Sequence, residues 1–145
     1  MDRAAVKAWK ASPPFPDEPL AEFAAALIKL ITTWCPVLPR GCVLTVPPQD
    51  ASSPGPYAAR VLGERVAEAL GLDFADALSG SGAKHWHGVI HSLKQEPFGY
   101  NCTGLTPPMV LIVDDLATTG RTLRLSLEAI RGAGVPSFGF AFSGV

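Results

Sequence analysis

The segment from Val110 to Thr122 constrains the fold of this chain more than any other. It begins with the uninterrupted apolar run Val110-Leu111-Ile112-Val113, a composition typical of a strand that is covered on both faces. Two adjacent carboxylates follow, and then a hydroxyl-rich turn that contains Gly120 and leads into a helical pattern. A strand that runs through a short turn into a helix is the unit from which parallel sheets with flanking helices are built.

The rest of the chain shows the same alternation. Apolar residues three and four positions apart predict helices, and short apolar runs bounded by glycine or proline predict strands. The predicted elements are, in order, an irregular arm over 1–16, a helix from Asp17 to Trp34, a strand Cys42–Val46, a helix between Ser53 and Gly71, a short strand Leu72–Leu78, the strand beginning at Val110, a helix ending at Gly132 and a strand Ser137–Phe142. We therefore predict an α/β fold, a single domain with a parallel β-sheet flanked by helices.

Composition excludes several classes of function. The chain has 145 residues, of which 48% are hydrophobic and 17% charged, so it suits one compact, well-buried domain and not a disordered chain. Its net charge of −1 gives no general electrostatic attraction to nucleic acid or to an anionic membrane. The sequence shows neither a signal peptide nor an apolar run long enough to span a bilayer, and a cytoplasmic location is expected.

The residues after Val113 predict a binding site for an anionic sugar phosphate. Ligands of open α/β sheets lie at the carboxyl ends of the strands, and free amides at a helix start attract phosphate. Gly120 would let the backbone approach the ligand closely. Asp114 and Asp115 would repel a bare polyphosphate, but they suit sugar hydroxyls, from which they can accept hydrogen bonds, or a nearby magnesium ion. As residues at a strand end, both are expected to point into solvent.

The same thirteen residues resemble the motif with which type I phosphoribosyltransferases bind phosphoribosyl pyrophosphate (PRPP). That motif has four apolar residues, two acidic residues, a short apolar pair, a Thr-Thr-Gly turn and a hydroxyl residue; Ala117 is smaller than the aliphatic residue usual at its position. The resemblance implies that Asp114 and Asp115 hold the ribose hydroxyls and, indirectly, Mg²⁺. It also implies that the 5′-phosphate is bound by Ala117, Thr118, Thr119, Gly120, Arg121 and Thr122.

A broader resemblance covers residues 41–145, which are similar to the ComF-like branch of the family, a branch linked to DNA uptake. It implies a phosphoribosyltransferase-like, Rossmann-like domain over 41–145, with an arm and helix over 1–40 packed on it. The chain lacks the N-terminal zinc ribbon of that branch, and Pro47–Tyr57 contains no lysine or arginine where the family places basic residues near pyrophosphate. The 6-oxopurine transferases have an aspartate at the position of Thr118, so the resemblance argues against hypoxanthine and guanine as substrates.

The segment from Ser79 to Pro108 is long, rich in glycine and without periodicity, and it contains all three histidines. Loops of this length in compact domains are usually functional or mobile. Three interpretations stay open: a lid that brings Lys84 or Lys94 to the pyrophosphate, a solvated loop with no catalytic part, and a metal site formed by the histidines. Under the first interpretation, Lys84 and Lys94 join Asp114 and Asp115 as catalytic candidates.

The function implied by the resemblance is the Mg²⁺-dependent transfer of ribose 5-phosphate from PRPP to a nitrogenous base, with release of pyrophosphate. The base cannot be identified from the sequence, no nucleic acid or membrane partner is expected, and a homodimer is compatible with the sequence. The main alternative is a sensor or regulatory module that binds PRPP or a nucleotide without turnover. A sugar-phosphate enzyme of another reaction type is the third hypothesis.

Overall fold

The computed structural model describes residues 3–48, 57–80, 97–102, 104–117 and 119–143. Helices and strands alternate from Asp17 to Phe74 and again from Val110 to Ser143, as the sequence predicts. The elements are α1 (Arg3–Lys10), α2 (Asp17–Trp34), β1 (Val43–Thr45), α3 (Ala58–Leu70), β2 (Asp73–Phe74), β3 (Leu78–Ser79), β4 (Gly99–Tyr100), β5 (Val110–Ala117), α4 (Arg121–Gly132) and β6 (Ser137–Ser143).

Four of the strands form one parallel sheet in the order β2-β1-β5-β6. β5 lies inside this sheet, and its first four residues, Val110 to Val113, are completely buried. A continuous apolar run suits this position because both faces of the strand are covered. β3 and β4 form a separate two-stranded antiparallel sheet, in which Leu78 pairs with Tyr100. The predicted parallel α/β fold is thus confirmed.

Successive residues of β5 pack against different helices because side chains alternate along a strand. Leu111 and Val113 belong to a large core that includes buried residues of α1, α2 and α3. Val110 and Ile112 pack on the opposite side with Ile130 of α4. Helices therefore cover both faces of the sheet. No helix in the described part of the chain is long and apolar enough to cross a membrane.

Residues 3–10 correct the prediction of an irregular arm, because they form α1. Val6 and Trp9, three positions apart, lie on one face of this helix and are buried in the same core as α2. The Trp9 indole N–H donates a hydrogen bond to the Pro16 carbonyl at 3.1 Å, and its ring packs against Phe15 and Phe23. Two buried residues in a short, lysine-rich stretch are too few for periodicity alone to reveal a helix.

Three further elements differ from their predictions. Trp34 continues the helical spacing of the apolar residues in α2, which predicts that it is buried with them, but it is 74% exposed because it lies at the end of the helix, beyond the core. The predicted strand Leu72–Leu78 is divided between β2 and β3, which belong to different sheets. β5 continues through the two aspartates to Ala117, so the acidic pair lies within the strand.

The packing of α3 on the sheet depends on Gly63. A Cβ atom at this position would lie 2.5 Å from Cγ1 of Val46 and 3.3 Å from the ring of Phe74. Such distances are well below van der Waals contact, and a β-branched valine has little rotamer freedom to move away. The absence of a side chain at Gly63 therefore allows the close approach of α3 to β1.

We predict that Gly63→Ala destabilises the protein by about 1–3 kcal/mol, because steric overlap outweighs the helix propensity of about 1 kcal/mol gained by removing a glycine. Gly132→Ala is the matched control, since Gly132 ends α4 and a Cβ there meets nothing within 4 Å. This control should leave the free energy of unfolding unchanged or raise it slightly. Urea unfolding of both variants measures the difference, and equal effects would contradict the packing argument.

Candidate functional site

A β-bulge in β5 positions the two aspartates. Val113 pairs with Phe140 and Leu116 pairs with Phe142, so β5 advances three residues while β6 advances two. The extra residue falls in the Asp114–Asp115 pair. Bulges interrupt the alternation of side chains and change the direction in which they point, and they are common beside functional sites. This one separates the apolar part of β5 from the turn that follows it.

Backbone amides fix both carboxylates. The Asp115 N–H donates to Oδ1 of Asp114 at 2.8 Å, and the Leu116 N–H donates to Oδ1 of Asp115 at 2.6 Å. Each aspartate thus accepts a hydrogen bond from the residue that follows it. The irregular backbone at the bulge frees these amides from the regular ladder and presents them to the side chains.

The expectation that both aspartates point into solvent is wrong, since Asp114 is 7% exposed and Asp115 2%. Burial, together with the neighbouring charge of Asp115, raises the pKa of Asp114 to about 8. The burial follows from α1, which packs against β5 and covers this end of the strand. The Asp114 carboxyl is therefore held in an environment that disfavours its negative charge.

Lys10 is a site residue that the sequence did not indicate. Its Nζ lies 3.3 Å from Oδ1 and 3.2 Å from Oδ2 of Asp115. The second distance is within ion-pair range, but Oδ2 accepts no hydrogen bond of acceptable geometry from the described residues. Asp115 thus has a buried acceptor available for another donor or cation. A single lysine more than 100 positions before its partner leaves no local pattern to detect.

The turn between β5 and α4 has the backbone expected of a binding loop. Gly120 is the N-cap of α4 and adopts a left-handed conformation with φ of 75°. As a glycine, this N-cap residue has no side chain with which to cap the helix, and no acidic residue lies in the first turn. The Arg121 N–H donates to the Thr119 hydroxyl at 3.3 Å. The next two amides of α4, those of Thr122 and Leu123, meet no acceptor among the described residues, and they can bind an anion with the support of the positive end of the helix dipole.

A small hollow joins the turn to the end of β5. Its volume is about 40 Å³, and Gly120 contributes to it without a side chain that could narrow it. The residues that line it are Asp114, Leu116, Ala117, Thr119, Gly120, Arg121, Thr122 and Leu123. The structure thus brings one aspartate together with every described residue of the predicted phosphate turn. Asp115, the other predicted carboxylate, faces Lys10 instead.

Cations near the site differ in their availability. Arg121 lines the hollow, is exposed, and forms no ion pair with any residue that the structure describes. Arg60, one turn into α3, is engaged by both Glu64 and Asp76, and its guanidinium lies 5.4 Å from the centre of the Phe74 ring. Arg121 is therefore the better placed of the two for a bound anion.

Tyr57 is a second residue that the sequence did not indicate. It immediately precedes α3, and its hydroxyl donates to the Pro47 carbonyl at 3.4 Å. Burial raises the pKa of Tyr57, and the negative charges of Asp114 and Asp115 also raise it. Its position just after the loop that follows β1 could have suggested it, because β1 and β5 are neighbours and their carboxyl ends meet.

Several predicted site residues lie outside the described ranges. They are Thr118 of the turn, and Lys84, Lys94 and the three histidines of the long irregular segment. The lid hypothesis and the histidine metal-site hypothesis consequently stay predictions. Within the described ranges, no three His, Cys, Asp or Glu side chains gather as a metal site.

No protein-family model and no curated protein matches this chain. Its structure, in contrast, is similar to solved structures. One is an adenine phosphoribosyltransferase, with a TM-score of 0.55 and 15% sequence identity, and the match covers 90% of this chain and 82% of the other. The chain has the type I phosphoribosyltransferase fold. A second similar structure is the adenine phosphoribosyltransferase of Leishmania donovani, with a TM-score of 0.51, 17% identity, and 94% of this chain aligned to 55% of that one.

These matches confirm the predicted fold. In this fold the segment from Val110 to Thr122 forms β5, the turn after it and the start of α4. At such low identity they establish the fold alone, and they do not confirm the ComF-like branch. This chain spans about half the length of the Leishmania protein.

We predict that Asp114→Asn changes how stability depends on pH in metal-free buffer. The unfolded chain loses the Asp114 proton near pH 3.8 and the folded protein near pH 8, so between these values unfolding releases a proton. Wild-type stability should then fall with rising pH, relative to the variant, by up to about 1.4 kcal/mol per pH unit. Asparagine cannot ionise and keeps an acceptor for the Asp115 amide. Urea unfolding over about pH 5–8 tests this. A difference in unfolding free energy between the two proteins that stays constant with pH would contradict it.

Proposed function

We propose that this protein binds PRPP between the end of β5 and the start of α4 and transfers its ribose 5-phosphate to a nitrogenous base, releasing pyrophosphate. One observation carries the proposal. The bulged Asp114–Asp115 pair leads directly into an uncapped, glycine-started helix on a type I phosphoribosyltransferase fold. The aspartates can accept hydrogen bonds from sugar hydroxyls, and the adjoining turn can donate to a phosphate. A phosphoribosyl group carries its hydroxyls and its phosphate in the same order.

The 5′-phosphate would bind at the turn. The left-handed Gly120 exposes the backbone there, and a Cβ added to it would meet nothing within 4 Å, so the space is open to a ligand. The hydroxyls of Thr119 and Thr122 border the same hollow, and Arg121 adds a positive charge. The first turn of α4 contains no carboxylate that would compete with the phosphate for the helix start.

The ribose hydroxyls would bind to the aspartates. Asp114 lines the hollow, and Oδ2 of Asp115 is a buried acceptor that receives no hydrogen bond from the described residues. A buried acceptor left unsatisfied costs about 1–3 kcal/mol, so a hydroxyl donor that reaches it gains that free energy. Lys10 would have to move away from Asp115 as the sugar enters, because its Nζ lies 3.2 Å from the same oxygen.

Magnesium fits the donor set. Carboxylate oxygens are the ligands that Mg²⁺ prefers, and the ion usually binds one or two of them while keeping waters and substrate phosphates. Asp114 and Asp115 would hold it indirectly, together with the oxygens of PRPP. When bound, the ion supplies a Lewis acid that stabilises negative charge on pyrophosphate.

The reaction requires little of the protein beyond position and charge. A nitrogen of the base forms a bond to the anomeric carbon while the bond from that carbon to pyrophosphate oxygen breaks, and the electron pair leaves with pyrophosphate. The nitrogen then gives up its proton to solvent. Asp114 and Asp115 orient the sugar, and the turn anchors it through the 5′-phosphate. Adenine is the first base to test, because both structural neighbours are named for it.

A sensor that binds PRPP without turnover is the second candidate, and the distribution of cations favours it. Pro47–Tyr57 has no lysine or arginine, Arg60 is engaged by two carboxylates, and Lys10 is engaged by Asp115. Departing pyrophosphate concentrates negative charge, and an enzyme needs positive groups to stabilise it. Of the cations described near the site, Arg121 alone has no ion-pair partner, and it belongs to the phosphate turn.

We predict that the double variant Asp114→Asn, Asp115→Asn loses at least about a hundredfold in affinity for magnesium–PRPP, since hydrogen bonds to charged acceptors contribute about 1.5–3 kcal/mol each. Titration calorimetry measures this loss. Asp73→Asn is the control, because it removes an exposed carboxylate from β2 and should leave the affinity unchanged. Unchanged affinity in the double variant would refute the assignment of the ribose hydroxyls.

Turnover is tested separately by pyrophosphate release from PRPP with a panel of bases, starting with adenine. Release that depends on both a base and magnesium, and that the double variant lacks, identifies a transferase. Tight PRPP binding without release for any base would instead identify the sensor. The two experiments together therefore separate a failed binding assignment from a failed catalytic one.

A further inference from the structure

The outer edge of β6 has unpaired backbone groups. β6 pairs with β5 on one side, and no strand in the described part of the chain pairs with the other. The Val110 N–H donates to the Pro136 carbonyl, and Val110 stands opposite Ser137. Because main-chain groups of a strand point alternately to either side, those of Phe138 and Phe140 face β5, and those of Gly139 and Ala141 face outward.

This edge has none of the usual protection against pairing. Natural edge strands are commonly blunted by charged side chains, proline or a bulge. β6 contains neither a charged residue nor a proline, and the bulge beside it lies in β5. One outward group is covered at the amino end of β6, where the Arg131 guanidinium donates to the Ser137 carbonyl at 2.7 Å.

Apolar side chains flank the open edge on both faces of the sheet. A groove of about 630 Å³ follows β6, bordered by Leu30 and Trp34 of α2 on one face and by Leu123 and Leu127 of α4 on the other. Trp34 is 74% exposed, and Phe138 of the strand is 46% exposed. An extended strand placed here would gain main-chain hydrogen bonds and cover aromatic surface at once.

The sequence of β6 identifies which strand fits. Ser137-Phe138-Gly139-Phe140-Ala141-Phe142-Ser143 is the same in both directions, except that glycine is exchanged for alanine. In an antiparallel pair of two copies centred on Phe140, Gly139 stands opposite the partner's Ala141, and both have outward main-chain groups, as a hydrogen-bonded pair requires. Phe138 then stands opposite the partner's Phe142, an aromatic pair on one face, while glycine and alanine leave room for α4 on the other.

We propose that two copies of this chain associate through their β6 edges, in antiparallel register about a two-fold axis at Phe140. The interface is isologous, because the same strand and the same flanking helices contribute from both subunits. Four main-chain hydrogen bonds, two for each Gly139–Ala141 pair, join the two four-stranded sheets into one. This assembly does not depend on the ligand of the site between β5 and α4.

The experiment measures the mass of the full chain by sedimentation equilibrium over a wide range of concentration. Phe138→Lys places a charge in the aromatic pair and should weaken association at least about tenfold. Leu105→Lys is the matched control, because Leu105 is 95% exposed and does not line the groove, so the same kind of change there should have no effect. A protein that stays monomeric throughout, or equal effects of the two variants, would overturn the proposal.

Ala141→Pro provides a second, independent variant. It removes one outward N–H without touching the hydrogen bonds to β5, so the monomer should fold while the dimer is lost. Hydrogen exchange then locates the contact. The amides of Gly139 and Ala141 should be protected in the wild-type dimer, whereas in the variant, which has no amide hydrogen at position 141, the Gly139 amide should exchange rapidly. Fast exchange of both amides in a wild-type dimer would overturn the proposal, as would their protection in a monomer, which would mean that another segment of the chain covers the edge.

Discussion

The burial of two adjacent carboxylates at the end of β5 is the constraint on which the rest of this structure depends. Asp114 and Asp115 lie in the strand that forms the core, yet both carry side chains that prefer water. The fold holds them there with two backbone amides and the Lys10 ammonium, and the pKa of Asp114 nevertheless rises well above its usual range. An unfavourable arrangement of charge that is concentrated at one point of the ligand-free protein is typical of a binding site.

The same constraint gives α1 a role in the site. Val6 and Trp9 anchor this helix in the main core, which brings Lys10 to Asp115. In the free protein Lys10 compensates part of the buried charge, and a sugar or a cation that reaches Asp115 must compete with it. Entry of a ligand is thus coupled to the position of α1. Lys10 is half exposed and regains water when it leaves, but Asp115 is buried, so the incoming hydroxyl or cation must replace the lysine as the partner of this carboxylate.

The parts of the fold that the sequence predicts are those with strong local patterns. The apolar run at Val110 specifies a buried strand, and the left-handed Gly71 and Gly120 fall where glycines were expected to end one helix and begin another. The bulge was not predictable, since an inserted residue in a strand leaves no mark in an apolar–acidic sequence. The aspartates were expected in water because residues at the end of a strand are exposed unless another element covers them, and the sequence revealed neither the bulge nor α1. Lys10 reaches the site only through tertiary packing, which no spacing along the chain encodes, whereas the place of Tyr57 after the loop that follows β1 could have suggested it.

The central claim is that the turn from Thr119 to Thr122 binds a phosphoribosyl phosphate beside the two aspartates. The most direct test follows backbone amide resonances by NMR while PRPP is added with magnesium. The account predicts that the largest shifts occur at Thr119, Gly120, Arg121 and Thr122, with smaller ones at Asp114 and Asp115, and that ribose 5-phosphate reproduces the shifts of the turn. Shifts confined to other parts of the molecule, with the turn unmoved at saturation, would contradict it.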